Sequence, residues 1–107
     1  MDFKKIKQAV KEVQFDTLRL DSDNNFEAVV VKGEMGKIIE LFESFFGSPV
    51  FPSKNRLSKE ILQAIASYGG IMSGQTLYYW RQGSATLFAM LWPWKDGEHT
   101  TVKIIKK

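Results

Sequence analysis

Gln75-Thr76-Leu77-Tyr78-Tyr79-Trp80-Arg81-Gln82-Gly83-Ser84-Ala85-Thr86-Leu87-Phe88-Ala89-Met90-Leu91-Trp92-Pro93-Trp94, followed by Asp96-Gly97 and His99-Thr100-Thr101-Val102-Lys103-Ile104-Ile105, sets the architecture of this chain. Aromatic and β-branched residues dominate it, as half-buried pleated strands require. Gln82-Gly83 and Asp96-Gly97 interrupt it with turn chemistry, and Asp-Gly is a strong hairpin signal. The spacing predicts three strands, 75–81, 85–94 and 98–105, as consecutive antiparallel neighbours.

Two-residue turns would set which side chains share a face. One face then carries Tyr78, Trp80, Ala85, Leu87, Ala89, Leu91, Val102 and Ile104, a core face. The other mixes aromatics with cations: Tyr79, Arg81, Phe88, Met90, Trp92, Trp94 and Lys103, with Leu77, Thr86, His99, Thr101 and Ile105. Tyr79, Phe88, Trp92 and Trp94 each bury ~150–250 Å² when covered. Their sum, on the order of 800 Å², exceeds the few hundred Å² of bare apolar patch usual on a monomer. That face therefore calls for a cover. The options are the chain's own N-terminal helix or its 47–56 segment, a second copy of the chain, or a ligand. Tyr79, Arg81, Phe88, Met90, Trp92, Trp94 and Lys103 form the candidate interaction surface.

Outward from this block, Phe3, Ile6, Val10 and Val13 recur at helical spacing over residues 2–13, opposite Lys4, Lys7 and Lys11. Residues 15–21 and 26–32 read as strands joined by Asp21-Ser22-Asp23-Asn24-Asn25, a dense turn signal. Met35, Ile38, Ile39, Phe42, Phe45 and Phe46 form a second helical stripe that Gly47 ends, and Pro49 and Pro52 keep 47–56 extended. Ser58 is the expected cap of a third helix, with Leu57 and Leu62 at the positions of a hydrophobic staple. Ile61, Leu62 and Ile65 are expected to pack, with Ile38, Ile39 and Phe42, on the core face. The order α-β-β-α-α-β-β-β predicts a single α+β domain over 1–107, with a five-stranded, mainly antiparallel sheet. In element order alone it is similar to profilin-like and roadblock-type topologies. No residue motif carries the likeness, the third helix is extra and the usual C-terminal helix is missing.

Composition narrows the chemistry. Among 107 residues there are no cysteines and one histidine, which excludes disulfides, thiolate nucleophiles and Cys- or multi-His metal sites. No apolar run approaches the ~20 residues of a membrane span, and the start, Met1-Asp2-Phe3-Lys4-Lys5, is not an apolar signal segment. A cytoplasmic protein without membrane contact is the expectation. Net charge is +3, with +2 over residues 1–14, −4 over 15–53 and +5 over 54–107. A basic half attracts nucleic acid or an acidic partner, or simply keeps a C-terminal strand soluble.

Near-matches to catalytic and ligand motifs fail on chemistry. Asp21 to Asn25 resembles the start of a calcium loop, but Phe26 stands where glycine must turn and Lys32 where a bidentate glutamate must bind. Gly33-Glu34-Met35-Gly36-Lys37 lacks the spacing and the Ser/Thr of a phosphate loop. Glu40 and Glu43 lie on a polar helical stripe, where water keeps carboxylates ionised, and His99 reads as an exposed strand residue without catalytic company. No cofactor or metal is expected. The function expected is a non-catalytic interaction or self-association module, with a protein partner or a second copy (a homodimer). The alternatives are single-stranded nucleic-acid binding through aromatics and cations, and a small enzyme or ligand-binding protein using Glu40, Glu43 or His99.

Overall fold

The computed structural model describes residues 1–107. Its elements are α1 (Phe3–Lys11), β1 (Thr17–Asp21), β2 (Asn25–Val31), α2 (Met35–Phe46), α3 (Lys59–Ala66), β3 (Thr76–Gln82), β4 (Ala85–Pro93) and β5 (His99–Lys106). A short 3-10 turn, Lys32–Glu34, leads into α2. The five strands form one open antiparallel sheet in the order β1-β2-β5-β4-β3. The expected α+β order therefore stands.

The register follows the two turns. Gln82 pairs with Ala85 around Gly83-Ser84, and Trp92 pairs with Thr101 across the Asp96-Gly97 turn. That second turn is wider than two residues. Trp94 N–H donates to the His99 carbonyl at 2.8 Å, and the Asp96 carboxylate accepts from the Glu98 and His99 N–H groups at 2.9 and 3.1 Å. Residue pairing is unchanged, so the side chains divide between the faces as the spacing predicts.

Helices α1 and α2 cover the first face. Asp2 caps α1 by accepting from Lys4 N–H at 2.9 Å, and the stripe Phe3, Ile6, Val10 faces inward. With Ile38 and Phe42 of α2 it closes over Phe26, Ala28, Val30, Tyr78, Leu87, Ala89, Leu91, Val102 and Ile104. Phe42 packs on Tyr78 with ring centroids 5.4 Å apart. Lys7 and Lys11 of α1 both reach Asp21 at the end of β1, and these two ammonium groups hold its carboxyl below the usual carboxylate range. Trp80, expected in the core, is half-buried at its margin.

The third helix lies on the other face, and this corrects the expected packing. Ile61 and Ile65 sit against Leu77, Phe88, Met90 and Ile105, while Leu62 and Ile39 point to solvent. The reason is the route of residues 47–57. Phe51 bridges the free edge of β3, where Val50 N–H donates to the Leu77 carbonyl and Leu77 N–H to the Phe51 carbonyl, both at 2.9 Å. The chain thus passes around that edge from the first face to the second before Ser58 caps α3 by accepting from Ile61 N–H at 3.2 Å. Within α3 the 3.6-residue period places Ile61 and Ile65 inward and turns Leu62 about 100° away, and Tyr68 joins them just past the helix end.

Candidate functional site

The aromatic face of the sheet is roofed in two ways. Over β3 and β4 lie α3 and the segment before it. Tyr68 meets Phe88 edge-on at 5.6 Å, and Tyr79 stacks on Phe88 at 6.4 Å. Toward β5, β2 and β1 no helix is needed, because side chains close the face. Trp92 packs its ring end against Gly69, just beyond α3, and the Lys103 ammonium sits 3.7 Å from its indole centroid. Trp94 lies alongside His99 at 4.9 Å and donates Nε1–H to Thr101 Oγ1 at 2.9 Å. Arg19 of β1 brings its guanidinium 5.5 Å from the Trp94 ring. Glu27 stands between Arg19 and Lys103, 3.5 Å from each.

These contacts redistribute the expected interaction surface. Phe88 and Met90 belong to the second core and are fully buried, because α3 covers them. Trp92 and Lys103 cover each other, and Tyr79 is half-buried. Arg81 is exposed, but it pairs with Glu60 of α3 and donates Nε–H to the Gly83 carbonyl at 3.1 Å. Of the large apolar members only Trp94, 39% exposed, still faces water. The N-terminal helix takes no part in this cover; the 47–56 segment does, together with α3.

The titratable candidates do not converge. Glu40 and Glu43 are exposed on α2, over the first face, whereas His99 stands beside Trp94 on the second. His99 does have a carboxylate partner, contrary to the sequence reading. Its Nδ1 lies 2.6 Å from Asp96 Oδ2, and that contact holds the imidazole above its ordinary pKa. Asp96 is lowered in turn, first by the Glu98 N–H and then by His99. Asp21 to Asn25 forms a turn in which Ser22 Oγ accepts from Asn24 and Asn25 N–H. Lys37 of the rejected phosphate-loop motif pairs with Glu34 at 2.9 Å. No cluster of three or more His, Asp or Glu side chains is arranged to hold a metal ion.

A different site is present beside α3. Phe51, Leu57, Leu62 and Ile71 floor an open groove of about 470 Å³, with Lys54 and Arg56 on its rim. A second hollow of about 380 Å³ adjoins it around Ser53, Asn55, Arg56 and Leu57. Neither contains an acidic residue in its lining. Leu62 is 50% exposed, and Met72, next to Ile71, is 66% exposed. Sequence reasoning missed this groove by assigning Leu62 to the core. Two signals were there to find it. Ile61 and Leu62 are adjacent, about 100° apart around the helix, so the stripe centred on Ile61 and Ile65 leaves Leu62 at its margin. Residues 44–59 also hold Lys54, Arg56 and Lys59 with no acid among them.

No protein family, curated protein or solved structure matches this chain.

Proposed function

We propose that this chain is a non-catalytic module that binds another protein through the groove beside α3. The exposed staple carries the reading. Leu57 and Leu62, at the positions that clamp a helix start, leave half of Leu62 in water as part of an apolar floor. Water-exposed apolar area forgoes about 25 cal/mol per Å², and a concave floor is where a partner side chain recovers most of it. The scattered positions of Glu40, Glu43 and His99 support a binding role over a catalytic one. Single-stranded nucleic-acid binding is less well served, because stacking needs open ring faces. Phe88 is buried and Trp92 is roofed by Lys103. Self-association remains a separate expectation, read out by sedimentation.

Selection of a displayed random-peptide library against the folded protein tests the reading. Enriched peptides are expected to lose binding to the Leu62→Asp/Met72→Asp variant. Peptides that bind this variant as well as the parent, or the absence of enrichment, would show that the groove is not a docking site.

A further inference from the structure

We infer that the partner presents an acidic amphipathic segment to the groove, an inference that rests on the docking reading above. The observation is that two unpaired cations line an apolar hollow that has no acidic residue. Six of the fifteen lysines and arginines form ion pairs: Lys7 and Lys11 with Asp21, Arg19 and Lys103 with Glu27, Lys37 with Glu34, Arg81 with Glu60. Lys54 and Arg56 are among the nine without a carboxylate in ion-pair distance, and they are the two cations that line the largest apolar hollow. Arg56 lines both hollows, so a cation stands where they adjoin.

An apolar floor under a cationic rim selects a segment with two kinds of side chain. Leu- or Phe-like groups fill the floor over Leu57, Leu62 and Ile71. Carboxylates meet Lys54 and Arg56, and the Arg56 guanidinium offers a planar fork suited to them. The same arrangement rejects a basic segment, whose cations would be desolvated against like charge. Each rim pair is partly in water, so its contribution is modest. Two such pairs together amount to about a tenfold preference at low salt.

Three fluorescein-labelled peptides of one amphipathic pattern, Leu/Glu, Leu/Gln and Leu/Lys, provide the test by fluorescence anisotropy. The Leu/Glu peptide is expected to bind about tenfold tighter than Leu/Gln in about 50 mM salt, with the gap closing toward about 500 mM as screening sets in. Leu/Lys is expected not to bind. Lys54→Gln/Arg56→Gln should erase the preference and leave the melting temperature unchanged, with Lys54→Ser/Arg56→Ser as a second pair should the first fold poorly. Equal binding of Leu/Glu and Leu/Gln, both lost in Leu62→Asp, would overturn the acidic preference and leave the docking reading standing. Full retention of the preference in the rim variants, displacement of Leu/Glu by oligothymidylate, or binding of none of the three would overturn the inference. The library selection judges the docking reading independently.

Discussion

Lys103 holds its ammonium 3.7 Å from the centroid of the Trp92 indole, on the sheet face where the chain carries its surplus of aromatic residues. The contact is a cation–π pair on neighbouring strands, and Glu27 balances the cation at 3.5 Å. The Cη2–Cζ2 end of the indole lies against Gly69. Trp92 is therefore partly buried by contacts within its own chain.

Gly69 is the tightest point of this arrangement. A Cβ there would lie 2.7 Å from Trp92 Cη2, and the backbone φ of +97° is one that side-chain-bearing residues rarely adopt. Gly69→Ala is expected to cost about 1–3 kcal/mol through both effects. Gly33→Ala, where nothing lies within 4 Å, should stay within about 0.5 kcal/mol. Denaturant melts of the two variants check this.

Two cores on opposite faces should respond separately. Phe42→Ala, on the inner face of α2, and Phe88→Ala, under α3, are each expected to cost about 3–5 kcal/mol. The milder pair Ile38→Val and Ile105→Val should cost about 0.5–1.5 kcal/mol each and add to within about 0.5 kcal/mol in the double variant, because the sheet separates them. A larger coupling in a double-mutant cycle would show that the faces are not independent.

Adjacent positions of α3 should behave oppositely. Ile65→Ala is expected to cost about 2–5 kcal/mol, since Ile65 is buried against the sheet. Leu62→Ala should change stability by less than about 1 kcal/mol, because half of it is already wet. Thermal melts decide the matter: a loss at Leu62 as large as that at Ile65 would place both in the core.

The His99–Asp96 contact gives a pH dependence with a definite sign. His99 is raised above its ordinary 6.5, so its contribution is full below that value and disappears as pH climbs through the raised folded value. Asp96 is lowered, so its contribution is present above 3.8 and disappears as pH falls through its lowered folded value. NMR titration of the single histidine should give a pKa above 6.5 in the parent that drops in Asp96→Asn. Stability of the parent relative to that variant should narrow on the alkaline side. Trp94 fluorescence should follow the same titration, since the indole lies 4.9 Å from the imidazole.

What the residues alone determine here is local. Strand alternation and the Gly83 and Asp96-Gly97 turns specify register, and register specifies which side chains share a face. Helix stripes and the Asp2 and Ser58 caps likewise follow from chemistry within a few residues. Those forces reach the β1–β2 hairpin, the β3-β4-β5 meander and the surplus of aromatic residues on the second face, but not the long-range pairing of β2 with β5 that joins them. They do not decide what covers that face. The cover depended on the path of residues 47–57 around the edge of β3, set by hydrogen bonds between Phe51 and Leu77 that lie 26 positions apart. That path put α3 over Phe88 and Met90, left Leu62 in water, and set Lys54 and Arg56 beside it. Periodicity shows that a helix has an apolar stripe, but only the packed chain selects which of two apolar sheet faces receives it, because both faces are apolar and the connection's edge pairing on β3 decides between them.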